Sequence, residues 1–277
     1  MATLRVPTHG GDLVGEVTGD GPHVLVLHGG PGLSDYLAPL AAELDDGFTV
    51  AHYTQRGLAP SSEDGDLDVA AHVADAITVV DHLGWDRPIL AGHSWGGHLA
   101  MHVLAQHPDR FAASLVIDPL GAIGDGRMAE FGAEMGRRVP DAGQARLAEL
   151  NAQEERDGVL PNDLAMEQLQ LYWPAYFPEP AEAPPMPDVR IAARQVETWH
   201  SMVAEMPGLE ARLTGCPVPT TFVHGGASPM PLAASTESAA VMADARVDVV
   251  DGAGHFIWMD VPGAVRRSLD ALAQRVL

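Results

Sequence analysis

The sequence predicts an α/β protein: a mostly parallel sheet with helices on both faces and an inserted helical segment. Two observations predict it. Up to about residue 120, short apolar runs alternate with stretches whose apolar residues recur at helical spacing. From about residue 121 to 213 only helical patterns appear, and strand-like runs then resume.

The elements follow in order. Residues 4–6 and 13–17 read as an opening hairpin turned by Gly10 and Gly11. Residues 24–27 form a buried strand, 35–44 a helix and 49–53 the next strand. Residues 67–83 are amphipathic and end at Gly84, a helix stop. Residues 89–91 run as a strand straight into Gly92, 95–106 form a helix closed by His107 and Pro108, and 115–117 form another strand. The insertion predicts helices at 127–138, 142–156, 163–172 and 189–206. Five prolines within 177–187 make that stretch an extended linker or lid edge. Strands at 220–223 and 247–250 and a helix at 262–276 complete the chain. The domain reading is therefore a core of residues 1–121 and 213–277 and a helical cap of 122–212.

Composition narrows the partners. Apolar residues make up 46% of 277, enough for a sizeable core. The net charge is −22, and all 16 basic residues are arginines. So acidic a surface repels phosphates, which argues against nucleic acid and anionic membrane, and the acid excess serves solubility. The single cysteine, Cys216, lies in a turn beside Gly215 and Pro217 and reads as a structural thiol. Residues 1–11 lack the apolar stretch of a signal peptide, and no apolar run reaches membrane-spanning length. The expectation is a soluble, cytoplasmic protein. Its oligomeric state is not legible.

The chemistry concentrates in three glycine-rich segments. Gly92-His93-Ser94-Trp95-Gly96-Gly97 has the G-x-S-x-G form between a strand and a helix. A sharp turn there exposes the hydroxyl of Ser94, the small flanking residues avoid a clash across the turn, and the helix N-terminus favours negative charge. Ser94 is the expected nucleophile, against the alternative of a glycine turn with a chance serine. His28-Gly29-Gly30-Pro31-Gly32 follows the third strand. Its glycines let a backbone N–H approach a ligand, so Gly30 and Trp95 are the expected oxyanion donors. A phosphate loop is excluded because no G-x-x-x-x-G-K-[ST] occurs. His255, in Gly252-Ala253-Gly254-His255-Phe256, follows the last strand, and the order serine then histidine suits it as general base. His93 and His98 read as packing residues, and His224 as a site-lining or strand-capping residue.

The acid is less direct. After residues 220–223 the chain reads His224-Gly225-Gly226-Ala227-Ser228-Pro229, with Ser228 where an aspartate is expected and no carboxylate before Glu237. Asp118 ends the preceding strand on the edge that borders the site and is the expected acid. Asp125 and Asp251 are the alternatives; Asp251 lies only four residues before His255.

Together these residues resemble the α/β-hydrolase superfamily over essentially the whole chain. His28 to Gly32 with Gly92 to Gly97 resembles the proline iminopeptidase-like branch. Gln55-Arg56-Gly57 resembles that branch's D-Q-R-G loop with Thr54 in place of the aspartate. An acid after the sixth strand with none after the seventh is similar to the fungal zearalenone lactone hydrolases. The resemblance implies the α/β-hydrolase fold with a mostly parallel eight-stranded sheet, helices on both faces and an inserted helical cap. It also implies a serine hydrolase without metal or cofactor, acting on a small molecule. In that branch, cap glutamates hold a substrate amine; Glu197 and Glu205 lie in a cap helix but match no such motif. Ester or lactone hydrolysis is therefore the leading expectation. An aminopeptidase acting on N-terminal proline and a non-catalytic ligand receptor are the alternatives. Serine rather than aspartate at position 94 argues against epoxide and haloalkane chemistry. Trp173, Tyr172, Tyr176, Phe177 and Trp199 in the cap suggest an apolar or aromatic substrate group.

Overall fold

The computed structural model describes residues 2–276. Eight strands form one sheet: β1 (Ala2–Thr8), β2 (Gly11–Thr18), β3 (His23–Leu27), β4 (Thr49–Thr54), β5 (Ile89–His93), β6 (Ala113–Ile117), β7 (Thr220–Gly225) and β8 (Ala245–Val250). Their spatial order is β1-β2-β4-β3-β5-β6-β7-β8. The β1–β2 and β2–β4 pairings are antiparallel and the rest parallel. Because β3, β5 and β6 are covered on both faces, they are nearly continuous apolar runs, as buried parallel strands require, and β7 is buried throughout although it carries Thr220, Thr221 and His224.

The helices are α1 (Ala38–Leu44), α2 (Val69–His82), α3 (Trp95–Gln106), α4 (Met128–Arg138), α5 (Asp141–Asp157), α6 (Asn162–Tyr172), α7 (Gln195–Leu213), α8 (Leu232–Val241), α9 (Ile257–Asp260) and α10 (Ala264–Val276). Helices α4 to α7 all lie between β6 and β7. One apolar cluster packs α2 and α3 on one face of the sheet, through Val73, Val79, Leu99 and Val103. The other packs α1 and α10 on the opposite face, through Leu40, Leu44, Val265 and Leu269.

Three segments differ from the sequence reading. The first helix begins at Ala38, not residue 35, because Asp35 turns its carboxylate to the Leu37 N–H and to His52. The helix expected at 189–206 begins at Gln195 and runs through Pro207 to Leu213. Residues before it are drawn out instead: Ser34 and Arg190 exchange hydrogen bonds, and Leu33 bridges Ile191. Pro207 is tolerated because the carbonyl it leaves free belongs to Val203, on the exposed side. Helix α8 was not anticipated. Its buried face is Ala234, Ser235, Ser238 and Ala239, too small and polar to give an apolar stripe.

The register sets the site. Strand order reverses at β3, which lies between β4 and β5, and the C-terminal ends of β3 and β5 meet with Leu27 opposite Gly92. His93 lies opposite Ile117 and Ile117 opposite Val223. The loops that follow these strands therefore converge on one edge, at a topological switch point where α/β sheets form their clefts.

Candidate active site

Ser94 occupies the turn between β5 and α3 with φ 57° and ψ −121°, a conformation unfavourable for a residue with a side chain. The turn is tight enough to dictate its neighbours. A Cβ on Gly92 would lie 2.2 Å from the Gly96 carbonyl oxygen, and one on Gly96 would lie 2.1 Å from that of Leu27. The Ser94 N–H donates to the Ile117 carbonyl at 2.9 Å, which ties the turn to β6. Twelve-residue α3 starts at Trp95 and aims its positive end at this turn.

Asp118, the residue after β6, is also held at positive φ (42°) and is fully buried. Its Oδ2 accepts from His255 Nδ1–H at 2.6 Å and from Ser228 Oγ–H at 2.5 Å, and its Oδ1 accepts from the Gly225 N–H at 3.0 Å. His224 Nδ1 lies 3.3 Å from the same Oδ1. Burial alone would push this carboxyl up. The His255 hydrogen bond, the nearby His224 and His255, and the Ser228 hydroxyl more than offset burial, so its pKa lies below the ordinary value. Asp125 and Asp251 are elsewhere: Asp125 accepts from the Arg127 and Ala129 N–H groups, and Asp251 is exposed.

His255 is buried; its N–H donates to the Tyr176 carbonyl, and the Tyr176 ring stacks on its own at 5.0 Å. With Nδ1–H given to Asp118, Nε2 is the nitrogen left unprotonated in the neutral ring. Ser94, His255 and Gly30 line one cavity of about 50 Å³ with Tyr36, Trp173 and Phe256.

A second, unanticipated network ties the loops together. The Gly29 N–H donates to Tyr36 Oη at 2.8 Å, Tyr36 Oη–H donates to His93 Nδ1 at 2.7 Å, and His93 Nε2–H donates to the His255 carbonyl at 2.9 Å. Each partner has one consistent role only if His93 is neutral, and burial lowers its pKa well below the ordinary range. Gln55 makes a parallel link. Its side-chain N–H donates to the His28 carbonyl and its Oε1 accepts from Trp95 Nε1–H. No sequence pattern points to Tyr36, because its role depends on the distant His93. His98 donates to the Gly121 carbonyl and His224 bonds Ser235 and Met230, so both are packed into buried polar networks. Glu197 pairs with Arg194 and Glu205 with Arg212 on the surface.

The comparisons with known proteins bear on the family and the fold. The model of the Alpha/beta hydrolase family matches residues 24–268. The chain belongs to the alpha/beta hydrolase family. Members of this family are hydrolytic enzymes acting on small molecules. The probable aminopeptidase YbaC of Bacillus subtilis (strain 168) is 38% identical over 112 residues, 35% of this chain and 35% of that protein, so the chain spans about a third of that relative's length. Epoxide hydrolase A of Mycobacterium tuberculosis is 25% identical over 90% of this chain and 89% of its own. The crystal structure of a proline iminopeptidase from Mycobacterium smegmatis superposes with a TM-score of 0.69 at 21% identity, covering 99% of this chain and 98% of that one. As an α/β hydrolase, the protein carries the fold's eight-stranded, mostly parallel sheet with helices on both faces. Among the described residues no helix is long and apolar enough to cross a membrane, and no cluster of three or more His, Cys, Asp or Glu could hold a metal.

Proposed function

We propose that this protein is a serine hydrolase that cleaves a carboxylic ester or lactone through an acyl-enzyme on Ser94. The observation that carries the reading is the 2.6 Å hydrogen bond from His255 to buried Asp118, at the wall of a cavity that Ser94 and Gly30 also line. In this reading Ser94 Oγ attacks the carbonyl carbon and gives its proton to His255 Nε2. The Gly30 and Trp95 N–H groups hold the oxyanion, and the dipole of α3 adds to them. Collapse of the tetrahedral intermediate expels the alcohol, which takes the proton from His255. Water then enters by the same route in reverse and releases the acid. Asp118 keeps Nδ1 protonated throughout and stabilises the imidazolium. Residues 122–212 act as a cap that shapes the substrate site.

An aminopeptidase acting on N-terminal proline is the second reading, favoured by the names of YbaC and of the M. smegmatis structure. Against it, among the described residues no carboxylate lines the cavity at Ser94, and Glu197 and Glu205 are engaged in surface ion pairs. Similarity to an epoxide hydrolase does not transfer its chemistry, since the expected alkyl-enzyme ester requires a carboxylate where this chain has Ser94. The test is hydrolysis of p-nitrophenyl acetate and butyrate against proline-β-naphthylamide. Esters should have the higher kcat/KM, and Ser94→Ala should lose on the order of 10⁴- to 10⁶-fold. A strong prolyl preference would restore the aminopeptidase, and absence of any Ser94-dependent turnover would favour a receptor.

A further inference from the structure

The cavity at Ser94 borders a second, much larger one. The two share Gly30, Leu33, Leu169 and Tyr176. The inner chamber, about 50 Å³, is lined by Met186, Pro187 and Val189 as well as by Ser94, His255 and Gly30. Since one water-sized sphere takes roughly 10–15 Å³, only a short chain fits there. The outer chamber, about 660 Å³, is of the size that takes a whole drug-sized group, for which roughly 300–1,000 Å³ is usual.

The inner wall is pinned in place. Ser34 N–H donates to the Arg190 carbonyl at 2.9 Å and Arg190 N–H to Ser34 Oγ at 3.0 Å. Ala192 N–H donates to the Gly32 carbonyl at 2.7 Å, and Trp173 Nε1–H to the Pro184 carbonyl at 2.6 Å. The wall at 186–189 is therefore tied at both ends, on one side to the same loop that carries Gly30. Three prolines in 184–187 remove further backbone freedom. A wall held this way gives a size limit rather than a yielding contact.

The outer chamber has a different chemistry. Gln168 Nε2 donates to Asn151 Oδ1 at 3.0 Å and to Glu154 Oε2 at 2.8 Å, fixing a polar strip along α5 and α6. The Gln195 and His200 side chains face the same chamber and make no hydrogen bond to the protein among the described residues. Trp199, 41% exposed, supplies a flat apolar surface between them. Glu154 is the one carboxylate among its lining residues, which disfavours an anionic occupant.

We propose that the substrate is a sharply asymmetric ester: a short apolar group of no more than about four carbons on one side of the scissile carbonyl, and on the other a large, uncharged, hydrogen-bonding group that rests on Trp199. The inference rests on the serine-hydrolase reading and specifies its substrate class. Lengthening the buried group meets the pinned wall; lengthening the other meets open chamber.

Two ester series test it. In one, ethyl esters run from acetate to octanoate; in the other, acetates run from ethyl to octyl and 2-naphthyl. One series should lose at least about tenfold in kcat/KM beyond four carbons while the other stays level or rises, a step of the size that one misfit methylene produces. Met186→Ala and Val189→Ala should each raise the six-carbon to two-carbon ratio in the limited series about tenfold or more. Trp199→Ala should raise KM for the large-group substrates without moving the cut-off. Equal tolerance of eight carbons in both series, or equal loss in both, overturns the inference. So does a cut-off that neither wall variant moves. Ser94→Ala separates the two levels: turnover that survives it sinks the hydrolase reading, whereas Ser94-dependent turnover without asymmetry sinks only this inference.

Discussion

Ser228 donates its hydroxyl hydrogen to Asp118 Oδ2, the same oxygen that accepts from His255. The position from which the sequence led us to expect an acid thus supplies a hydrogen bond to the proposed acid, the residue after the neighbouring strand. β6 and β7 run side by side with Ile117 opposite Val223, so residues just past their ends reach a common point.

Asp118→Asn should lower kcat by around 10⁴, because an amide favours the wrong imidazole tautomer while keeping the shape. Ser228→Ala should cost far less, about tenfold, since Gly225 N–H and His255 still hold the carboxylate. Asp125→Asn and Asp251→Asn should retain wild-type kcat. Steady-state kinetics on p-nitrophenyl butyrate checks all four, and a crippled Asp125 or Asp251 variant beside an active Asp118→Asn would refute the assignment.

Tyr36→Phe removes one hydroxyl and leaves two buried groups unpaired, the Gly29 N–H and His93 Nδ1. The loop carrying Gly30 and the loop carrying His255 then lose their link. We expect kcat to fall about ten- to a hundredfold, the scale of a loop misplaced by an ångström. KM should change little, and stability should drop by about 1–3 kcal/mol. A variant with wild-type kcat would show that the link does not position the reacting groups.

Stability should fall between pH 6.5 and about 4. Burial first, then neighbouring positive charge, pushes His72 down to about 3 and His102 to about 2; burial pushes His98 to about 4. These rings are neutral when folded, whereas the unfolded chain protonates them near the ordinary 6.5. The unfolded state therefore binds more protons as pH falls, and each ring weakens the fold by about 1.4 kcal/mol per pH unit across that window. Depressed carboxylates such as Asp118 and Asp35 add their loss only in stronger acid, near and below the ordinary carboxylate value. Calorimetric Tm at pH 7, 6 and 5 should decline steeply, and less steeply in His102→Leu. An unchanged Tm from pH 7 to 5 would contradict this.

Most of the sheet was legible because buried parallel strands are short apolar runs bounded by turn residues. Ser94, His255 and the Gly30 loop stand out because strained turns demand glycine neighbours, and Gly92 and Gly96 meet backbone within 2.2 Å. What escaped depends on partners far along the chain. Helix α8 packs through alanines and serines, residues 189–194 are drawn out by the loop at Leu33, and Tyr36 acquires its role only beside His93. The candidate acid was legible as an absence at Ser228 and a presence at Asp118, but the hydrogen bond joining the two was not.

The most direct test of the central claim is chemical. A fluorophosphonate reacts only with an activated serine, so the protein should take up one equivalent. Peptide mass spectrometry should place the adduct on Ser94, and Ser94→Ala and His255→Ala should remain unlabelled. Labelling elsewhere, or ester hydrolysis that persists with Ser94 unmodified, would contradict the account.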